Sequence, residues 1–282
     1  MTIDIDPVIG KLGPLEFRWY GLIMAVAIIV GVFIFSKQLK QRGISSNHAL
    51  GIAVIAVPCG VIGARLVHVL ENLGYFWHNP GEIFGLQLVG LAIYGVLAGG
   101  ICGLIAYCLW KKLPVLKVLD STALAFPVAQ VVGKFANIIN GDTWGNPTTL
   151  PWGLTYVNPN SLMPDELLGV ATHPNPVYEQ LWLLVVIGIL LYALPRLKTA
   201  GMGILLYLGL YSVGRFFLSY FRVNKVIVLG LREAQVIALA IIVLAIPAAI
   251  FLQRRSRRLE QPHDDRDHPA GKDDPQHVHL ET

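Results

Sequence analysis

Lysine and arginine stand inside otherwise apolar stretches of this chain, at spacings that gather polar groups on single helix faces. Around GKFANIINGDTWGNP (133–147), Gln130, Lys134, Asn137 and Gly141 follow an i, i+4, i+7, i+11 pattern. Tyr211, Arg215, Ser219 and Arg222 follow i, i+4, i+8, i+11, and Arg65 and His68 are three apart. Residues at such spacings share a helix face. Ionised groups are costly in lipid, so these stripes should turn inward, toward one another or a wet cavity. The nearby carboxylates are few: Asp142 and Glu179 near one end of their segments, Asp120 at the other. Cations short of protein partners point to a partner that is not protein. Arginine grips phosphate in a bidentate way, so the chemistry implied is capture of an anionic lipid headgroup. For Arg222 alone, snorkelling or a salt bridge is the competing reading.

The elements that must hold these residues are helices in a membrane. The chain has 282 residues, 54% hydrophobic and 14% charged, with a mean hydropathy of +0.58. A soluble domain carries about 25% charged residues. A bilayer core of about 30 Å needs roughly 20 helical residues. Seven segments approach or exceed that length: 17–37, 48–70, 84–110, 118–140, 176–196, 200–222 and 233–253. Pro58, Pro127 and Pro247 fall inside them, which lipid-phase helices tolerate. Gly95, Gly99 and Gly103 repeat every four residues and permit close approach of a neighbouring helix. The expected fold is an all-α integral membrane bundle of about seven crossings.

Basic loops set the orientation. KQLKQRG (37–43), KKLPVLK (111–117), RLK (196–198) and RRSRR (254–258) alternate with loops poor in Lys and Arg, and residues 141–176 have neither. This predicts an outside N-terminus and a cytoplasmic C-terminus. The loop 222–232 disobeys, with Arg222, Lys225 and Arg232 on the outer side. Arg65, Lys134 and Arg215 lie six or seven residues inside their outer helix ends, roughly 10 Å deep at 1.5 Å per residue. Residues 1–253 read as one polytopic domain and 254–282 as a polar, disordered cytoplasmic tail. The tail histidines, His263, His268, His277 and His279, are read as solvated rather than metal-binding. Cys59, Cys102 and Cys108 lie in apolar segments without metal-ligand spacing and are read as packed thiols. The acidic N-terminus lacks a basic region and is not expected to be a cleaved signal peptide.

Several stretches together resemble the bacterial prolipoprotein diacylglyceryl transferase family. They are GPLEFRWYGL (13–22), GARLVHV (63–69), AIYGVLAGG (92–100), GKFANIINGDTWG (133–145), HPNPVYEQ (173–180) and GRFFLSYFR (214–222), in family order. The resemblance implies an enzyme of the bacterial plasma (inner) membrane. It would transfer the diacylglyceryl group of phosphatidylglycerol to the lipobox cysteine of a preprolipoprotein, forming a thioether and releasing glycerol phosphate. Carried over residue by residue, it implies a headgroup site of Tyr20, Arg65, Lys134, Asn137, Asn140, Asp142, Gly145, Arg215 and Arg222. Tyr94, Lys134 and Arg215 would act in catalysis, Tyr94 standing where many members have a histidine treated as a base. His68 is an alternative base or a plain interfacial residue, and His173 a residue of the helix start.

Four departures stand out. Val96 replaces the second glycine of the third motif. Lys134 replaces the signature arginine, keeping charge but losing the planar fork. Asp142 replaces glutamate on a shorter arm, and Ser219 replaces the glutamate between the two arginines. Two other readings remain: a non-enzymatic anionic-lipid binder or transporter, and an inactive relative suggested by Ser219. The absence of an internal repeat, and cations nearer one surface than the midplane, favour a reaction at the interface over transport. The loop 146–174 either admits the precursor peptide or simply connects. Trp19, Trp144 and Trp152 suit an interfacial aromatic belt. No metal, cofactor or nucleic-acid partner is expected from the motifs.

Overall fold

The computed structural model describes residues 1–13, 15–84, 93–223, 226–228 and 230–260. Its helices are α1 (Trp19–Gln41), α2 (Asn47–Glu71), the short α3 (Leu73–His78), α4 (Ile93–Trp110), α5 (Val115–Asn140), α6 (Asn175–Ala193), α7 (Met202–Leu218) and α8 (Glu233–Glu260). Six are long and apolar enough to cross a membrane: α1, α2, α5, α8, and α6 and α7 with their 3-10 extensions to Arg196 and Phe221. The apolar stretch Gly95–Trp110 of α4 is shorter. The segment expected from 84 starts in residues 85–92, which lie outside the described residues, as do Lys225 and the four tail histidines.

Local chemistry sets the helix ends. Pro114 precedes α5, where its fixed φ suits entry into a helix. Gly141 closes α5 at φ +74, with its N–H donated to Asn137 O at 2.9 Å. That left-handed turn costs glycine no Cβ clash. Asp120, buried near the start of α5, accepts Gly201 N at 2.8 Å and Ile204 N at 2.9 Å, satisfying free amides at the start of α7. The helix α8 runs on through Arg254, Arg255, Arg257 and Arg258, beyond the 253 boundary read from composition.

Burial is inverted relative to a water-soluble core. Ile29 and Leu244 are 68% and 70% exposed, whereas Asp120, Asn140, Glu179, Gln180, Ser212 and Ser219 are all buried. Apolar side chains face outward, as lipid allows, and polar ones point between helices. The most extensive pairings are α2 with α4 and α1 with α5. Any Cβ on Gly95 would run into Gly63 O, and any on Gly99 into Cys59 O. The glycine repeat thus fixes how closely α4 lies on α2. Phe35, Leu39, Ile52, Leu104 and Cys108 fill one cluster, and Leu124, Val186, Leu190 and Tyr207 fill a second among α5, α6 and α7.

Short strands add structure that helical periodicity did not foresee. β1 (Thr2–Ile3) pairs in parallel with β4 (Leu154–Tyr156), which pairs with β5 (Ala171–Thr172). Between them in sequence, β2 (Val8–Leu12) and β3 (Leu15–Arg18) make a hairpin. A second hairpin joins β6 (Val226–Val228) to β7 (Leu231–Arg232). The loop after α5 is thereby a built cap. Leu154, Tyr156 and Met163 are buried together, and Tyr156 OH donates to Ile138 O at 2.8 Å. Burial, then the nearby Asp142, pushes the Tyr156 phenol well above its ordinary range.

Candidate active site

Four charged side chains meet where α5, α6 and α7 end together. Glu179, in the second turn of α6, pairs through Oε2 with Lys134 Nζ of α5. Its Oε1 accepts Arg215 Nη1 of α7 at 2.7 Å, and Arg222 Nη1 lies 4.0 Å from the same oxygen. The Glu179 side chain is 11% exposed, and the three cations 19–24%.

Neighbouring bonds fix this arrangement. Gln180 Nε2 donates to Val131 O of α5 at 3.0 Å, and Trp182 Nε1 to Leu210 O of α7 at 3.0 Å. Together they set the rotation of α6, and so aim Glu179. Gly214 makes room: a Cβ there would strike the Trp182 indole. Arg232 donates to the carbonyls of Ser219 and Arg222, holding the turn after α7. The basic loop that broke the charge pattern therefore has a reason. Arg232 caps a helix end, and Arg222 belongs to the cluster.

The signature loop docks on the same end. Gly145 bridges Arg222, and Asn146 N donates to Phe221 O at 2.8 Å. A Cβ on Gly145 would lie 2.6 Å from His173 Cβ and 2.8 Å from Phe221 O, so glycine is required by close approach. Asn137 Nδ2 donates to Asp142 Oδ1 at 2.9 Å. Asp142 acts electrostatically on Arg222 of the cluster and on Tyr156 of the loop after α5. Asn140 is buried, with its Oδ1 3.4 Å from Arg18 Nη1 and its carbonyl accepting Leu162 N. His173 and Tyr178 pack on Phe221, and Trp152 Nε1 donates to Tyr178 OH at 2.8 Å.

Not every expected residue joins. Arg65 donates to the carbonyls of Ile83, at 3.0 Å, and Glu82, and lies over the Phe76 ring. It is bound to the turn after α3, not to the Glu179 group. His68 sits with it, near Asn72 and Phe76. The expectation that cations of all three helices share one pocket is therefore corrected for Arg65. Two main-chain carbonyls, invisible to side-chain spacing, supply its partners. The expectation that these cations lack protein partners is corrected too, since Glu179 serves three of them. From the sequence alone, Glu179 stands near a helix end with no role assigned. Its position in HPNPVYEQ was the available signal. Tyr94 lies in the first turn of α4, and its side chain is outside the described residues. Ser219 is buried, its hydroxyl donated to Arg215 O of its own helix.

Three cations around one carboxylate leave two net positive charges. A lysine has three donors and an arginine five. Those not used on Glu179 have no further side-chain acceptor among the described residues. The cluster can accept an anion of two negative charges and hold it by several charge-assisted hydrogen bonds.

The profile of the family described as Prolipoprotein diacylglyceryl transferase matches residues 7–251. Proteins named phosphatidylglycerol–prolipoprotein diacylglyceryl transferase are similar along most of their length. That of Clostridioides difficile is 37% identical over 253 residues, covering 90% of this chain and 98% of the relative. That of Dehalococcoides mccartyi strain 195 is 33% identical over 260 residues, covering 92% and 98%. That of Symbiobacterium thermophilum is 32% identical over 254 residues, covering 89% and 94%.

Proposed function

We infer that this chain, which belongs to the prolipoprotein diacylglyceryl transferase family, transfers diacylglyceryl from phosphatidylglycerol to the lipobox cysteine of a preprolipoprotein. It is a multi-pass protein of the bacterial inner membrane. The cysteine sulfur bonds to the glyceryl carbon that carries the phosphate ester. The carbon–oxygen bond to phosphate breaks, glycerol phosphate leaves, and the thiol proton passes to a base. Thiolate is the effective nucleophile, so loss of that proton is part of the barrier.

The observation that carries this reading is the convergence of Lys134, Arg215 and Arg222 on Glu179. The phosphodiester enters with one negative charge and leaves as a monoester with about two. Even with Asp142 counted beside Arg222, the cluster stays net positive and gains attraction as that charge develops, which lowers the barrier rather than merely holding substrate. Lys134 and Arg215 act on the phosphate directly, with Arg222 beside them. Tyr20, Asn137, Asn140, Asp142 and Gly145 shape the pocket rim. Tyr94 and His68 are the candidates to take the thiol proton.

We read the bundle as seven crossings, with α4 completing the set, an outside N-terminus and a cytoplasmic C-terminus. Pairing of β1 with β4 supports this, because it puts the N-terminus at the same end as the loop after α5. An even number of crossings, α1, α2, α4 and α5, separates those two places. Residues 1–253 form the catalytic domain, and 254–282 a tail that begins on the extension of α8. Membranes carrying the protein, given fresh phosphatidylglycerol and a lipobox peptide, should yield the thioether-linked diacylglyceryl peptide. No product beside a working control enzyme would contradict the assignment.

A further inference from the structure

A second group of cations gathers at the opposite end of the same helices, around a cavity of about 630 Å³. Arg42, Lys117 and Lys198 line it, together with Asp120 and Gln38. Lys117 and Lys134 are 17 residues apart on α5, about 25 Å at 1.5 Å per residue. This cavity is therefore separate from the Glu179 cluster.

Its charge is not neutralised from within. Both oxygens of Asp120 accept main-chain amides of Gly201 and Ile204, and neither makes an ion pair with the cavity's cations. Arg42 Nη1 donates to the neutral Gln38 Oε1 at 2.8 Å. Burial pulls the Arg42 guanidinium below its ordinary range, with Asp120 acting the other way. The side chains of Lys117 and Lys198 have no hydrogen-bond or ion-pair partner among the described residues. Three cations against one committed carboxylate leave a net charge of +2 in the cavity. Leu124 and Leu191 form an apolar wall beside it, and Leu191 is 58% exposed on the outer face of the bundle. Charge at one side and apolar surface at the other match an amphiphile whose anionic head enters from the membrane edge.

We propose that this cavity is a second phosphate-binding site, taking a phosphate group carried by an anionic glycerolipid or by a small soluble ester. The proposal does not depend on the transfer reaction, because Arg215→Ala silences the Glu179 site separately. The test uses the full chain in detergent, with phosphatidylglycerol retention read by native mass spectrometry and inorganic phosphate binding read by calorimetry. Lys117→Gln/Lys198→Gln should weaken one bound phosphate group by about tenfold or more, in a background where Arg215→Ala has already removed the other. Loss confined to phosphatidylglycerol assigns the site to a lipid, and loss confined to inorganic phosphate assigns it to a soluble ester. The lipobox conversion rate of the double variant should stay at the wild-type value. Lys198→Glu, a single change at an exposed side chain that removes the same two units of positive charge, should weaken the same binding to a similar extent. Unchanged affinity for both probes in both variants would overturn the proposal.

Discussion

Glu179 and Asp120 are buried carboxylates at opposite ends of the layer made by α5, α6 and α7, and their partners differ in kind. Asp120 accepts two main-chain amides, and its oxygens are occupied in starting α7. Glu179 is surrounded by side-chain cations that outnumber it three to one. The first carboxylate is held in place as a helix cap, so an anion at that end must be held by the cations beside it. The second stays open to a further anion, because one carboxylate cannot satisfy three cations. Residue type and burial are alike at the two places, and the partners decide which carboxylate caps a helix and which gathers cations.

Substitutions at the two ends should separate these roles. The largest effect is expected from Arg215→Ala and Lys134→Ala. Each should lower the conversion rate about 10²–10³-fold, measured on the lipobox peptide, while the thermal midpoint of the purified protein moves little. Wild-type rates in both would remove the site. Next comes Glu179→Gln, which leaves three cations crowded without their counter-charge. It should cost about 3 kcal/mol of stability as well as activity, read from thermal unfolding in detergent. Asp120→Ala should cost about 2 kcal/mol through two orphaned amides, with the KM for phosphatidylglycerol unchanged. A raised KM there would mean the two ends are not distinct.

The smallest effect concerns the cap formed by the loop after α5. Tyr156→Phe removes the bond to Ile138 O and should cost about 1 kcal/mol. The native phenol titrates above its unfolded value, so its contribution is constant below about pH 10 and stability falls as pH rises past that point. The phenylalanine variant should show a shallower alkaline decline in unfolding measurements.

Much of the bundle was legible because lipid imposes a simple rule on helix length. The apolar segments 48–70, 118–140 and 176–196 correspond closely to α2, α5 and α6 with its extension. The faces of Lys134 and Arg215 were legible because Gln130, Lys134 and Asn137 lie within α5 and Tyr211 and Arg215 within α7, whereas Ser219 and Arg222 lie past the end of α7. Which helix faces which was not, since spacing fixes a side chain's angle on its own helix and not the rotation of its neighbour. Glu179 stayed hidden for that reason: Gln180 and Trp182 set the angle of α6 through carbonyls on other helices. Arg65 was misplaced because its partners are also carbonyls, in a turn that no apolar period announces. The strands at the ends escaped notice because two- to five-residue pairings carry almost no periodic signal.

The central claim is that Lys134 and Arg215, gathered by Glu179, hold the phosphate of phosphatidylglycerol. An experimental structure of the protein with that lipid bound tests it most directly, through the distance from the phosphate oxygens to these two side chains. Both Lys134 Nζ and the Arg215 guanidinium should lie about 3 Å from those oxygens. A phosphate lodged beside Arg65 and the turn after α3, with the Glu179 cluster still closed on itself, would contradict the claim.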